Sequence, residues 1–196
     1  MKYIFQFWSA TPHLETSLEI AVEESLRGEN IQYFWGGDDT LFNEDNRAGK
    51  LGCMFASQKP VVRGLSLIKS NFGQLFDYHA NWVDYSRVHD FSYQTLDELL
   101  AIRIGNYELG RAAVSSLSFV LRTDIFSKEI LAFKPMLDEI LISGAAVYES
   151  ALELIKNSGV TEVIFFNGRF VHEAAILAAC RETNIPYRIH ERGGSP

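Results

Sequence analysis

The stretch Val163-Ile164-Phe165-Phe166-Asn167-Gly168-Arg169-Phe170-Val171-His172-Glu173 decides how this chain is read. Four apolar residues of β-branched and aromatic type break at Asn167-Gly168 and resume at helical spacing, which predicts a buried strand, a tight polar turn and a helix. An alanine-rich run carries that helix on to Cys180 and ends it near Thr183. Open α/β sheets hold ligands at strand-to-helix turns, because the first N–H groups of the helix lack partners within it and face the mouth of the sheet. At this turn Asn167 offers an amide, Gly168 a permissive backbone and Arg169 a fixed positive charge, a set suited to an anionic or hydroxyl-rich ligand. The competing reading is a turn in which Asn167 and Gly168 serve backbone geometry alone.

The unit is completed downstream by Asn184-Ile185-Pro186, a strand Tyr187–His190 and the polar run Glu191-Arg192-Gly193-Gly194. Two successive strand ends therefore deliver polar residues to one edge of a parallel sheet, the carboxyl edge at which open α/β folds bind ligands. The N-terminus repeats the pattern. Tyr3-Ile4-Phe5-Gln6-Phe7 reads as a strand and Ile31-Gln32-Tyr33-Phe34-Trp35 as a second one. Between them Thr11 is placed to cap a helix with Pro12 at its first position, and Leu14, Leu18, Val22 and Leu26 recur every four residues up to Gly28. Such a βαβ unit has parallel strands and a right-handed crossover. Its first turn lacks G-x-G-x-x-G, so the dinucleotide fingerprint is absent.

Periodicity weakens from Thr40 to Gly73, where Asn43–Asn46 reads as a solvated loop and 50–70 as partly helical. Residues 71–90 mix Asp77, Tyr78, His79, Trp82, Asp84, Tyr85 and His89, read as a surface loop whose spacing fits no defensible metal-ligand pattern. Thr95-Leu96-Asp97-Glu98 has capping-box spacing and opens a helix to about Ile104. Further helices are predicted over roughly 107–121 and from Pro135 to Lys156, the latter with Leu137, Leu141, Tyr148, Leu152 and Ile155 on one stripe. The sum is an α/β fold: a Rossmann-like open, mostly parallel sheet flanked by helices, one domain over 1–196, with a helical insertion at about 91–157.

Composition bounds the function. With 196 residues and 47% hydrophobic content the chain can bury a large core, and its formal charge of −7 argues against a general nucleic-acid partner. No signal peptide is visible and no apolar run approaches about 20 residues, so a cytoplasmic protein is expected. Cys53 and Cys180 are too few for a disulfide framework or a cysteine-only zinc site, and Cys180 reads as a small buried hydrophobe. Aromatics make up 13%, and some of Trp8, Trp35, Tyr78, Trp82 and Tyr85 are candidates for stacking on sugar rings, against the plainer reading that they are core.

Three motifs taken together carry a resemblance. Thr11-Pro12-His13-Leu14-Glu15-Thr16 after the first strand, Phe166-Asn167-Gly168-Arg169, and His190-Glu191-Arg192-Gly193-Gly194 resemble the amino-terminal part of bacterial capsule and surface-polysaccharide glycosyltransferases related to the GT-B fold. It is clearest over 1–27 and 140–194. The resemblance implies a two-lobed enzyme whose amino-terminal lobe contacts the acceptor and supplies the base, while a carboxy-terminal lobe holds the nucleotide sugar. Because the chain ends soon after Gly194, a missing carboxy-terminal lobe and no transfer by this chain alone are expected. Expected partners are a carbohydrate acceptor and a nucleotide-sugar co-substrate, with no other cofactor, no metal and no nucleic acid; peripheral contact with the inner membrane is compatible with them.

Glycosyl transfer needs a base for the acceptor hydroxyl and positive groups near the departing phosphate. His13 and Glu15 are the candidates for the base, with Thr11 beside them; Asn167, Gly168, Arg169, Glu191, Arg192, Gly193 and Gly194 are the candidates for substrate binding. Plain structural roles compete: His13 as an ordinary helical residue, Glu15 as a complement to the helix dipole, and Arg169 paired with Glu191. A non-catalytic carbohydrate-binding module is the alternative function. A small hydrolase is disfavoured, since neither G-x-S-x-G nor a P-loop is present.

Overall fold

In the computed structural model, residues 1–37, 42, 58–87, 89–122 and 128–191 are described. Cys53, the loop at 43–46 and the site candidates Arg192, Gly193 and Gly194 lie outside them.

Among the described residues five strands form the sheet: β1 (Lys2–Gln6), β2 (Ile31–Trp35), β3 (Asp77–His79), β4 (Glu162–Phe166) and β5 (Tyr187–His190). Every pairing is parallel and the order is β3-β2-β1-β4-β5. The chain starts in the middle, winds outward to β3, then crosses back to β4, so the order reverses between β1 and β4. That reversal is the topological switch point of a doubly wound, Rossmann-like α/β fold.

Helix α1 (His13–Leu26) and helix α2 (Gln58–Phe72) flank one face, over Ile4, Ile31, Tyr33, Trp35 and Ile164. Tyr3, Phe5, Phe34, Val163 and Phe165 point to the other face, because successive strand side chains alternate. There they meet the long α5 (Lys134–Lys156) and α6 (Val171–Thr183), backed by α4 (Leu109–Leu121) and the short α3 (Leu96–Ala101). The predicted helical insertion is therefore part of the main core: α5 is the crossover that lies on the sheet, and α3 and α4 form a layer behind it. Gly144 permits this packing, since a Cβ there would fall 2.5 Å from Val171 Cγ2.

Several boundaries differ from expectation for identifiable reasons. Residues 77–79 form an edge strand, held by Asp77 Oδ2 accepting from Gln32 Nε2 at 2.8 Å and by the 2.6 Å bond between His79 Nε2 and Gln32 Oε1. A three-residue polar strand carries too little alternation to read from sequence. The Thr95 capping box forms, but α3 ends at Ala101 because Ile102 turns extended. On α1 the buried face runs through Leu14, Ser17, Leu18, Ala21 and Glu24, while Leu26 is 62% exposed. A strict four-residue repeat drifts off a face that recurs every 3.6 residues. Thr11 is not the cap of α1. Pro12 occupies that position without a side-chain cap, and Thr11 Oγ1 donates instead to Glu15 Oε1 at 2.6 Å.

Candidate functional site

The switch point opens between the β1–α1 loop and the β4–α6 turn, and aromatic rings fill it. Trp8, 6% exposed, packs against Phe170, Phe119 and Phe166 at centroid distances of 5.3, 5.4 and 6.1 Å. Its indole N–H donates to Glu173 Oε1 at 2.8 Å. Of the aromatics considered for sugar stacking, Trp8 and Trp35 are thus core, and Trp82 covers Phe5 and Phe34 while donating to the Trp35 carbonyl.

Beside this plug lies a strip of three rings. His13 is half-buried with its ring 4.1 Å from Phe166, and Phe166 lies 5.8 Å from His190 at the end of β5. Burial, His13 and Arg188 push the His190 imidazole down to about 4, so it is neutral at pH 7. His190 Nε2 is buried and has no hydrogen-bond partner among the described residues. His13 and Glu15, two positions apart on a helix, leave on different faces: His13 lies against the sheet end, whereas Glu15 is exposed and held by Thr11. The structure thus brings His13 to the edge and leaves Glu15 off it.

The Asn167 turn is stitched to the next strand end, since Asn167 N–H donates to the His190 carbonyl at 3.2 Å. Asn167 and Gly168 both have positive φ, 60° and 83°, so their residue types are explained by backbone geometry. Three N–H groups of this segment are engaged within the protein, and Val171's is the one in the first turn of the helix, where groups facing the mouth of the sheet were expected. Those of Asn167 and Gly168 bond to backbone carbonyls, and that of Val171 donates to Ser116 Oγ at 2.8 Å. Arg169 is exposed and lies over the Phe170 ring, 4.8 Å from its centroid. It forms no pair with Glu191, which is exposed at the end of the described chain.

Sequence reasoning missed His172 and Glu173, which are both fully buried. His172 Nε2 lies 2.9 Å from Ser143 Oγ, which in turn lies 3.4 Å from Tyr85 Oη. A serine–histidine bond has the geometry of an activated nucleophile, but Ser143 and His172 both show 0% exposure and no substrate reaches them. Burial pushes His172 down to about 3, so it serves as a neutral clamp between α5 and α6. A polar His-Glu pair between apolar neighbours was the available signal. Cys180 is buried as expected, its thiol pushed up to about 12.

Among the described residues no three His, Cys, Asp or Glu side chains gather as a metal site would require, and no helix is long and apolar enough to cross a membrane. The fold and the edge define a Rossmann-like α/β domain with a closed switch point. Compared with protein-family models, with curated proteins and with solved structures, the chain finds no match.

Proposed function

We propose that this chain is the amino-terminal, acceptor-side lobe of a glycosyltransferase that moves a sugar from a nucleotide-sugar donor to a growing capsular or surface polysaccharide at the cytoplasmic face of the membrane. One observation carries this reading: Trp8 and its aromatic neighbours fill the crevice in which a nucleotide would sit, while His13 and the neutral His190 remain at its rim. A lobe closed to nucleotides yet furnished with a base at its carboxyl edge suits the acceptor side. In that role His13 takes the proton of the acceptor hydroxyl as its oxygen bonds to the sugar's anomeric carbon, and the bond from that carbon to the departing phosphate breaks.

Thermal-shift measurements on the chain should show stabilisation by oligosaccharides and none by nucleotide sugars; the reverse pattern, or no shift with either, removes the reading. In the complete enzyme, His13→Ala should cut turnover about a hundredfold or more with an unchanged melting temperature. Full turnover in that variant assigns His13 a structural role. The Thr11–Glu15 bond favours a second reading, a carbohydrate-binding module without chemistry, since it holds one of the two candidate bases away from the edge.

A further inference from the structure

A second concave surface lies on the flank behind the Asn167 turn. It is a cleft of about 560 Å³ between α4, α6 and the loop that precedes α4. Among the described residues four guanidiniums line it, those of Arg103, Arg111, Arg169 and Arg181, against one carboxylate, Glu108. This concentration occurs in a chain whose formal charge is −7.

The sequence builds the cleft from two matched stripes. Helix α6 presents Ala174, Leu177, Ala178 and Arg181, and α4 with its preceding residue presents Glu108, Arg111, Ala112 and Ser115. Both sets follow the i, i+3, i+4, i+7 spacing of one helical face. Alanines at the inner positions keep the floor low and apolar, and the long cationic side chains form the rim. Glu108 pairs with Arg103 and stands 4.0 Å from Arg111. Neither Arg169 nor Arg181 has an acidic partner among the described residues. Arg169 stands just before the start of α6 and Arg181 near its far end, so their backbones are about 18 Å apart at 1.5 Å per residue. A single phosphate or carboxylate cannot span that length. An extended anion with charges repeated along it can, and guanidiniums suit its carboxylate or phosphate groups because they donate in a planar fork.

We infer that this cleft binds an anionic polysaccharide, with sugar rings laid on the floor of Ala112, Ala174 and Leu177 and acidic substituents held by Arg169 and Arg181. Naming the anion a glycan rests on the acceptor-side reading above, and the apolar floor between the two cations fits the C–H faces of sugar rings. Since Arg169 leads from the rim of the edge into this cleft, the glycan runs from the acceptor position along α6.

Calorimetry on the chain with a galacturonate hexamer as probe tests this. Binding should weaken as salt is raised, because the contacts are between exposed charges. Arg169→Gln and Arg181→Gln should each weaken it about fivefold and together by more than tenfold, with melting temperatures unchanged. A neutral glucan hexamer should bind at least tenfold more weakly. The inference is overturned if the hexamer does not bind, if the neutral hexamer binds equally well, if the double variant binds like the parent, or if a single-stranded oligonucleotide of matched charge binds more tightly. Neutral glucan binding that depends on His13, without galacturonate binding, would retain the acceptor-side reading and remove this one.

Discussion

The two ends of the sheet handle charge in opposite ways. At the amino end Lys2 and Arg188 are both matched by carboxylates. Lys2 Nζ lies 2.6 Å from Glu24 and 3.3 Å from both Glu29 and Glu162, and Arg188 reaches Glu24 at 2.8 Å and Glu162 at 3.4 Å. Glu24 sits at the centre, its side chain 6% exposed, and its hydrogen bonds from Lys2 and then Arg188 hold its carboxyl down to about 2. This network ties the end of α1 to β1, β4 and β5. At the carboxyl end the histidine kept beside the rim is neutral, and on the adjoining flank Arg103 and Arg111 share Glu108 while Arg169 and Arg181 have no acidic partner among the described residues. Charges matched within the fold contribute to its stability, whereas charges left exposed in a concave surface are available to a ligand.

Substitutions separate the two ends. The largest stability effect belongs to Glu24→Ala, which removes the carboxylate that Lys2 and Arg188 share and leaves them only the more distant Glu29 and Glu162; it should cost about 3 kcal/mol in urea unfolding. Since Glu24 is depressed on folding from 4.5 to about 2, its contribution is complete above pH 4.5 and is lost as pH falls through about 2. The variant should therefore show a flatter acid limb over that window. Trp8→Phe keeps the aromatic plug but removes the indole donor to Glu173, for an expected loss of about 2 kcal/mol by the same assay. Equal stability in that variant would mean the plug is held by packing alone.

Buried His172 and half-buried His190 titrate in the same sense as Glu24, over a higher pH window. His172 and His190 are depressed from 6.5 to about 3 and about 4, so protons bind preferentially to the unfolded chain once pH drops below 6.5. Stability should fall by up to about 1.4 kcal/mol per pH unit for each, from pH 6.5 down to those values. His172→Asn should flatten the slope between pH 6 and 5, and an unchanged slope would contradict the burial of its imidazole. The smallest effect is expected for Arg27→Ala. Its side chain is 63% exposed although it also touches Glu23 and Glu24, and its removal should cost less than about 0.5 kcal/mol.

The sequence by itself determined the strands and helices that are long or strongly patterned. The apolar run of β4, the Asn-Gly break and the alanine-rich helix gave α6 its observed limits of Val171 and Thr183, and the βαβ unit at the N-terminus was equally legible. Periodicity carries that information because burial of one face is decided locally along the chain. Tertiary structure alone decided which polar residues meet. Whether Asn167 used its N–H for a ligand or for the His190 carbonyl depended on β5 lying beside β4. Whether His172 and Glu173 faced water depended on α4, α5 and the β1–α1 loop closing over them. The arginine stripe of α6 and that of α4 can each be found by spacing, but their convergence on one cleft is a packing event between segments some 60 residues apart, and no local pattern encodes such a contact.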